Sequence, residues 1–421
     1  MKILVIHQVP YRKISYHLGL DHERHEVTYI GHPARMADLP TGLRCRRIEL
    51  AEGEDLVAGV TARVSRADGY EGMLSLSEFG MLESWHIRRH LGLAGPSLEH
   101  LERVRDKVSM KRALADSGIR YPRFEAAPAP CDALPWTGRT VIKPRQGASS
   151  EGVTVHDTAR DALTAYWKLE HRQDVQLEEY IDGAILHADG LVSGGTLVDL
   201  AVSRYVNKPV DYLGGAPLAS HQIPDRDGRY RDFAERVVEA LEIEAGTLHL
   251  ELFETEEGEL VFLEVANRMG GAGVVDAHLR HTGVHLPSHE IAIRLGLQRP
   301  APAEPSGRHH GWLAVPGHHL DPAPGHTIHV PPELRDHPAV DALYVLDRER
   351  PLPDHVTYHE WLVPVFIEAS HEDPEELGAF LRECARTITV EPAEAGGPAE
   401  ADGLAEAGGL VKAGGLVKAG G

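Results

Sequence analysis

Two glutamates stand where buried strands usually carry valine. In HLELFETEEGELVFLEVANR, residues 249–268, two short apolar runs flank an acidic, Gly-containing turn, and Glu251 and Glu264 interrupt them. With a turn within 255–258, Phe253 opposes Leu260, and alternation along each strand puts His249, Glu251, Phe253, Leu260, Phe262 and Glu264 on one face. Leu248, Leu250, Leu252, Val261, Leu263 and Val265 then take the other, apolar face. The two carboxylates are diagonal neighbours, or one step apart if the register slips by two. Carboxylates that share a space raise each other's pKa unless a cation lies between them. An all-oxygen donor pair favours a hard dication, Mg2+ by preference. The competing expectation is a wet sheet face with both glutamates exposed.

Three further stretches carry chemistry that suits such an ion. VIKPRQGASSEGV, residues 141–153, reads as a strand ending in Lys143, a loop with Gly147, Ser149, Ser150 and Gly152, and a second strand. Small residues let backbone N–H groups approach phosphate oxygens, and the lysine adds charge. A lysine 4 Å from a phosphate charge gains about 4 kcal/mol at an effective dielectric of 20, against about 1 in bulk water, so a lid that excludes water matters. VQLEEYIDG runs an apolar strand into Glu178, Glu179, Tyr180 and Ile181, where one carboxylate and free backbone groups can grip an adenine edge. The loop 203–220 holds Arg204, Tyr205, Asn207, Lys208 and Tyr212, the kind of segment that closes over a substrate.

The elements that must position these residues fall into blocks. KILVIHQ, HEVTYIG and GMLSLSE read as buried strands with helices between and after them, a parallel α/β domain over 1–103. No G-x-G-x-x-G follows the first strand, which argues against a dinucleotide-binding domain. Residues 104–300 read as an α+β domain, mainly antiparallel, with a mobile lid at about 120–180 and a hairpin around Ser193-Gly194-Gly195. The Pro-rich QRPAPAEPSG marks a boundary, and 301–392 reads as a C-terminal α+β domain. From 393 to 421 the chain is mostly Ala, Gly and Glu and closes on two copies of LVKAGG. That stretch buries too little apolar surface to offset its ordering entropy, so a flexible, disordered tail is expected.

Composition narrows the function. The formal net charge of −21 over 421 residues repels phosphate backbones and anionic lipid, so neither nucleic acid nor membrane is an expected partner. Three scattered cysteines support no disulfide framework and no cysteine-based zinc site, and a cytoplasmic setting fits. None of the 27 histidines shows the i, i+4 helical spacing with an acidic partner that zinc hydrolases use, so they read as solvated loop residues.

Taken in order, RDKVSMK, VIKPRQGASSEGV, LEEYIDG, HADGLV, HLELF and FLEVANRMGG resemble the ATP-grasp superfamily, especially its carboxylate-amine ligases, over about residues 1–390. The resemblance implies three domains with ATP held between two halves of the grasp domain, and ATP and Mg2+ as cofactors. By position, Lys107 and Lys143 resemble its two ATP-binding lysines, and the loop with Gly147, Ser149, Ser150 and Gly152 its phosphate flap. Glu178, with Glu179 and the backbone of Ile181, resembles the adenine hinge. Glu251 and Glu264 look like the Mg2+ ligands, Arg268 like the arginine that steadies the transferred phosphate, and Arg204 like a γ-phosphate contact.

Two positions depart from the pattern. Ile185 stands at the place of a ribose-binding glutamate, which leaves Asp182 or Asp189 for that task, and Ala266 stands where E-x-N-x-R would supply a further metal ligand. The implied activity is an ADP-forming ligase joining a small-molecule carboxylate, an amino acid or peptide, to an amine through an acyl phosphate. The alternatives are another nucleophile, bicarbonate or a hydroxyl, or a nucleotide-binding module without catalysis. The chain's own tail, with Lys412, Lys418 and the Gly420-Gly421 end, is a further conceivable substrate, and a homodimer is an allowed assembly.

Overall fold

The computed structural model describes residues 1–126, 133–320 and 325–392 with the strand 410–413. Cys131 and most of the tail from 393 lie outside the described residues, so the expectation of disorder is not addressed there. Among the described residues, no helix is long and apolar enough to cross a membrane.

The N-terminal block is parallel, as its buried apolar runs require. Strands β1 (Lys2–Ile6), β2 (Glu26–Gly31), β3 (Arg46–Glu49) and β4 (Gly72–Ser75) form one sheet in the order β3-β2-β1-β4. The central strand β1 is apolar throughout because helices cover both faces. The edge strand β3, RRIE, is mostly exposed, so its sequence carries no strand pattern to read.

Next comes a small antiparallel sheet of β5 (Phe124–Glu125), β6 (Thr140–Pro144), β7 (Thr154–His156) and β8 (Val175–Glu179), in the order β5-β8-β6-β7. It carries Lys143 on β6 and Glu178 on β8, and the loop between β6 and β7 is the expected flap. The hairpin of β9 (Ala184–Ser193) and β10 (Thr196–Tyr205) turns at Gly194-Gly195, both at positive φ, as anticipated.

The large sheet is built on that hairpin. Strands β11 (Leu218–Ile223), β12 (Ala245–Glu254), β13 (Leu260–Ala266), β14 (His309–Val315), β16 (Val340–Val345), β17 (Val365–His371) and β19 (Leu410–Ala413) join it in the order β13-β12-β9-β10-β11-β14-β17-β16-β19. A separate pair unites β15 (His326–His329) and β18 (Thr389–Pro392). The sheet therefore runs without a break across residue 300, where the Pro-rich segment suggested a boundary. Part of the expected flexible tail, Leu410–Ala413, is a strand antiparallel to β16. Burial of the amphipathic helix Arg229–Ala240 against Leu186, Leu248, Leu250 and Leu252 forms the main core on one face. Helices Val274–Thr282 and Leu286–Leu295 pack on the other.

One irregularity alters the hairpin that opened the sequence. Glu251 pairs directly with Glu264, yet the next residue, Leu252, pairs with Phe262, so Leu263 is an extra residue on β13. Such a bulge shifts alternation by one beyond it. Phe262, expected beside the glutamates, instead lies fully buried in the core with Leu252 and Val265. Leu263, expected in the core, lines the cleft. Simple period-two counting fails here because nothing in an apolar run VFL marks which residue is doubled. Phe262→Ala should therefore cost about 3–5 kcal/mol of stability in urea unfolding, and Leu263→Ala clearly less. The reverse order would contradict the bulge.

Candidate active site

The positioned side chains converge on one cleft between the small sheet and the β12–β13 hairpin. Its walls include Lys107, Lys143, Gln146, Gly147, Ser150, Glu178, Tyr180, Ile181, Ile185, Lys208, Glu251, Phe253, Leu263 and Glu264.

Lys107 opens the helix Lys107–Ala113. Asp106 caps that helix, accepting from the N–H groups of Val108 and Ser109, and its carboxylate also pairs with Arg145 at 2.9 Å. The Lys107 N–H donates to the Arg145 carbonyl at 2.9 Å. This cap thus ties the helix start to the strand end that launches the flap. Lys107 Nζ donates to the Gly147 carbonyl at 3.0 Å and lies 3.2 Å from Glu264 Oε2. Burial disfavours its charge, but Glu264 outweighs burial and raises its pKa. Correspondingly, burial would raise the Glu264 carboxyl, yet Lys107 and then Lys143 hold it below its ordinary value.

The flap begins with Gly147 at φ 118°, and Ser149 and Ser150 follow at φ 62° and 56°. Left-handed conformations at two non-glycine residues turn the backbone tightly at this loop. Ser150 and Gly147 line the cleft, while Ser149 and Gly152 do not. Gly152 stays small because a Cβ there would meet Pro144 Cγ at 3.0 Å.

At the hinge, Glu178 is buried and its carboxylate is fully engaged. One oxygen bonds Lys111 Nζ, and the other lies 3.1 Å from Lys143 Nζ. Burial would raise this carboxyl, but Lys111 and Lys143 lower it. Lys111 in turn is pushed down to about 8, mainly by burial, and stays cationic at neutral pH. The Glu178 carboxylate, expected at an adenine edge, lines the cleft but is engaged there as the counter-ion of two lysines, with Tyr180 and Ile181 lining the cleft beside it. Glu179 turns its side chain to Arg123, with a 2.7 Å pair, and also borders the cleft. Lys111 was missed, although its spacing of four from Lys107 places both on one helix face.

Glu251 and Glu264 face each other across the hairpin, one at each strand. Tyr205 OH donates to Glu251 Oε1 at 3.0 Å, and His249 Nε2 lies 3.6 Å from the same oxygen. Deeper, Asp189 is almost fully buried between His249 and His187. Hence the reading of the histidines as solvated loop residues fails for His187 and His249: alternation in HAD and HLE sends them inward beside Asp189. Burial would raise the Asp189 carboxyl, but His249 and then His187 hold it far below the usual range. Burial opposes charge on His249 as well, yet Asp189 lifts its pKa to about 10. Asp189 is thereby withdrawn from any ribose contact, while Asp182 is exposed and lies 4.0 Å from Lys208. Lys208 bonds the Tyr180 hydroxyl, so the segment 206–217 between β10 and β11 closes onto the hinge.

Two arginines behave differently. Arg204 pairs with Glu254 Oε2 at 2.5 Å on the core face, among Arg229 and Tyr230. Its neighbour Tyr205, not Arg204, projects to the face of the carboxylates, so Arg204 is not brought to the cleft as expected. Arg268 leaves β13 toward the N-terminal block, where Nε lies 2.6 Å from Glu78. Asn267 does not substitute for the ligand missing at Ala266: its amide donates to the Thr247 and Ala245 carbonyls at 2.8 and 3.2 Å.

Residues 104–272 match the ATP-grasp domain, the hallmark of the superfamily that the sequence motifs resemble. ATP with Mg2+ is that superfamily's cofactor pair. An L-arginine-specific L-amino acid ligase of Bacillus subtilis is 26% identical over 223 residues, 49% of this chain and 53% of the relative. The chain spans about half the length of the curated relatives it matches. An L-amino acid ligase from Bacillus licheniformis has a similar fold, with a TM-score of 0.72, 20% identity and coverage of 93% of this chain and 98% of that one. A carboxyaminoimidazole ribonucleotide synthase from Aspergillus clavatus, solved with ATP, gives a TM-score of 0.64 at 12% identity, covering 92% and 99%.

The His249–Asp189 pair predicts a pH signature. The folded pKa of His249 lies above its ordinary 6.5, so the pair's stabilisation is full below about pH 6.5 and is lost as pH rises through about 10. In metal-free protein, the Tm advantage of wild type over His249→Gln should shrink between pH 6.5 and 10.5. A constant gap would contradict the pair.

Proposed function

We propose that the protein is an ADP-forming ligase that joins a carboxylate, of amino-acid or peptide type, to an amine. The observation that carries this reading is the direct opposition of Glu251 and Glu264 in a cleft that also holds Lys107, Lys143 and the flap. Two carboxylates supply the oxygen donors a hard dication takes, and Lys107, now paired with Glu264, is the cation such an ion would displace toward phosphate. The residues present therefore fit ATP with Mg2+: Glu251 and Glu264 would hold the metal, Lys107, Lys143 and the flap the phosphates, and the Tyr180–Ile181 backbone the base.

ATP with Mg2+, when bound, supplies an electrophilic phosphoryl group, so that a carboxylate oxygen becomes a leaving group as an acyl phosphate. The chain's contribution is placement and charge neutralisation. Lys107 and Lys143 balance phosphate charge from the two sheets that bound the cleft. The flap excludes water, which strengthens those interactions and protects an acyl phosphate from hydrolysis. Arg268, held at the border with the N-terminal block, supplies a cation for negative charge developing on the carboxylate being activated and on the oxyanion formed by amine attack. Support for an amino acid as the acid or amine comes from the two L-amino acid ligase relatives.

The test is ADP release from ATP across a panel of amino acids and dipeptides. Glu264→Gln should lower turnover by at least about 100-fold while Tm stays within a few degrees of wild type. Near-normal turnover in Glu264→Gln would refute the metal assignment. ADP release that is independent of every amine would refute the amide-forming reaction and favour another nucleophile.

A further inference from the structure

Behind Glu251 runs a line of hydrogen-bonding side chains that nucleotide binding does not use. His249 Nδ1 is 2.7 Å from Asp189 Oδ1, Asp189 Oδ2 is 2.5 Å from His187 Nδ1, and His187 Nε2 is 2.6 Å from Ser220 Oγ. With Tyr205 these residues come from the four strands β12, β9, β10 and β11, and the line ends on Glu251 Oε1. All are buried or nearly so, on the sheet face opposite the main apolar core.

A second metal centre is the first alternative, since ligand atoms of His187, Asp189 and His249 lie within 4.8 Å of one another. The geometry speaks against it. Each histidine nitrogen sits on a different oxygen of Asp189, the arrangement of one carboxylate accepting from two N–H donors, whereas a metal needs all three ligands aimed at one point. A purely structural filler is the second alternative. Apolar residues of similar volume would fill this space without the desolvation cost of a buried carboxylate.

The remaining reading is that the line fixes the orientation of Glu251. A second contact supports it. A Cβ on Gly270, two residues beyond Arg268, would come within 2.8 Å of both Asp189 Oδ1 and His249 Nδ1. The segment that follows Arg268 is thus laid directly against the same pair, which borders Glu251 on one side and the arginine-bearing turn on the other.

We infer that Tyr205, His249 and Asp189 are positioning residues, which hold one oxygen of Glu251 so that its carboxylate presents a fixed face to the divalent ion. This rests on the nucleotide-metal reading above. Groups that hold a metal ligand in place are usually needed for tight binding, and their loss typically weakens metal affinity by about 10- to 100-fold.

The test titrates Mn2+ by electron paramagnetic resonance in the presence of a non-hydrolysable ATP analogue, with circular dichroism confirming that each variant is folded. His249→Gln should weaken Mn2+ binding by at least about 10-fold and Tyr205→Phe by a smaller factor. In the Glu251→Gln background, adding His249→Gln should cause no further loss, because the histidine acts only through Glu251. Gly270→Ala, which crowds the pair without removing a polar group, should weaken Mn2+ as well. Tight Mn2+ binding by wild type with affinities within about 2-fold in folded His249→Gln and Tyr205→Phe overturns the positioning role alone, as do losses that multiply fully in the double variant. Failure of wild type to bind Mn2+ with the nucleotide analogue overturns the functional reading and this inference together.

Discussion

Two carboxylates set directly opposite on paired strands govern much of this architecture. Like charges at directly opposed positions destabilise a sheet, and at about 5 Å the repulsion is roughly 3 kcal/mol at an effective dielectric of 20. The chain offsets that cost from both sides: Lys107 faces Glu264, while Tyr205 and His249 face Glu251. Each compensating group is fixed by a different element. The helix cap at Asp106 sets Lys107, the end of β10 sets Tyr205, and the Asp189 carboxylate on β9 sets His249. A site assembled from so many elements is stiff only if the sheet beneath it is continuous, which is what the strand order β13-β12-β9-β10-β11 supplies.

How much of this was legible in sequence depends on the range of the interaction that decides it. Local patterns were readable: the parallel N-terminal block from its apolar strands, the β9–β10 hairpin from its Gly-Gly turn, and the convergence of Lys107, Lys143, Glu251 and Glu264 from the order of their motifs. Features set by pairing between distant segments were not. The doubled Leu263 has no signature, because Val261, Phe262 and Leu263 are all apolar and any of them could be the extra residue. The fate of Glu178 depends on Lys111 and Lys143, and the chain distance between these partners hides their contact. Abundant histidine reads as solvated until the register of β9 against β12 brings His187, Asp189 and His249 together.

The arginines show the same limit from another side. Arg204 and Tyr205 are adjacent, so alternation forces one of them away from the carboxylates, and sequence alone does not choose. The choice is made by Glu254, which with Arg229 and Tyr230 provides a polar patch on the core face and claims Arg204. Arg268, by contrast, is held across a boundary. Its partner Glu78 follows β4 of the N-terminal block, and nearby Lys13 pairs with Glu360 at 2.7 Å and donates to the Ala272 carbonyl at 3.2 Å. The block that lacks a dinucleotide motif thus contributes by placing charge beside the arginine-bearing turn.

The shortage of protein ligands gives the buried polar line its physical sense. Ala266 offers no side-chain oxygen, and Asn267 spends its amide on two backbone carbonyls of β12. Two carboxylates are then the side-chain donors available at the hairpin. A small hard dication tolerates so few because it keeps waters and takes phosphate oxygens, but it demands near-ideal octahedral angles. With only two protein ligands, an error in the direction of either carboxylate is not averaged out by others. Glu264 projects from a bulged strand, where the local twist is greatest, and has a flexible lysine as its neighbour. The burden of angular precision therefore falls on Glu251, the carboxylate on the regular strand β12, and that is the one backed by a tyrosine and by a histidine whose ring is itself clamped by a buried aspartate.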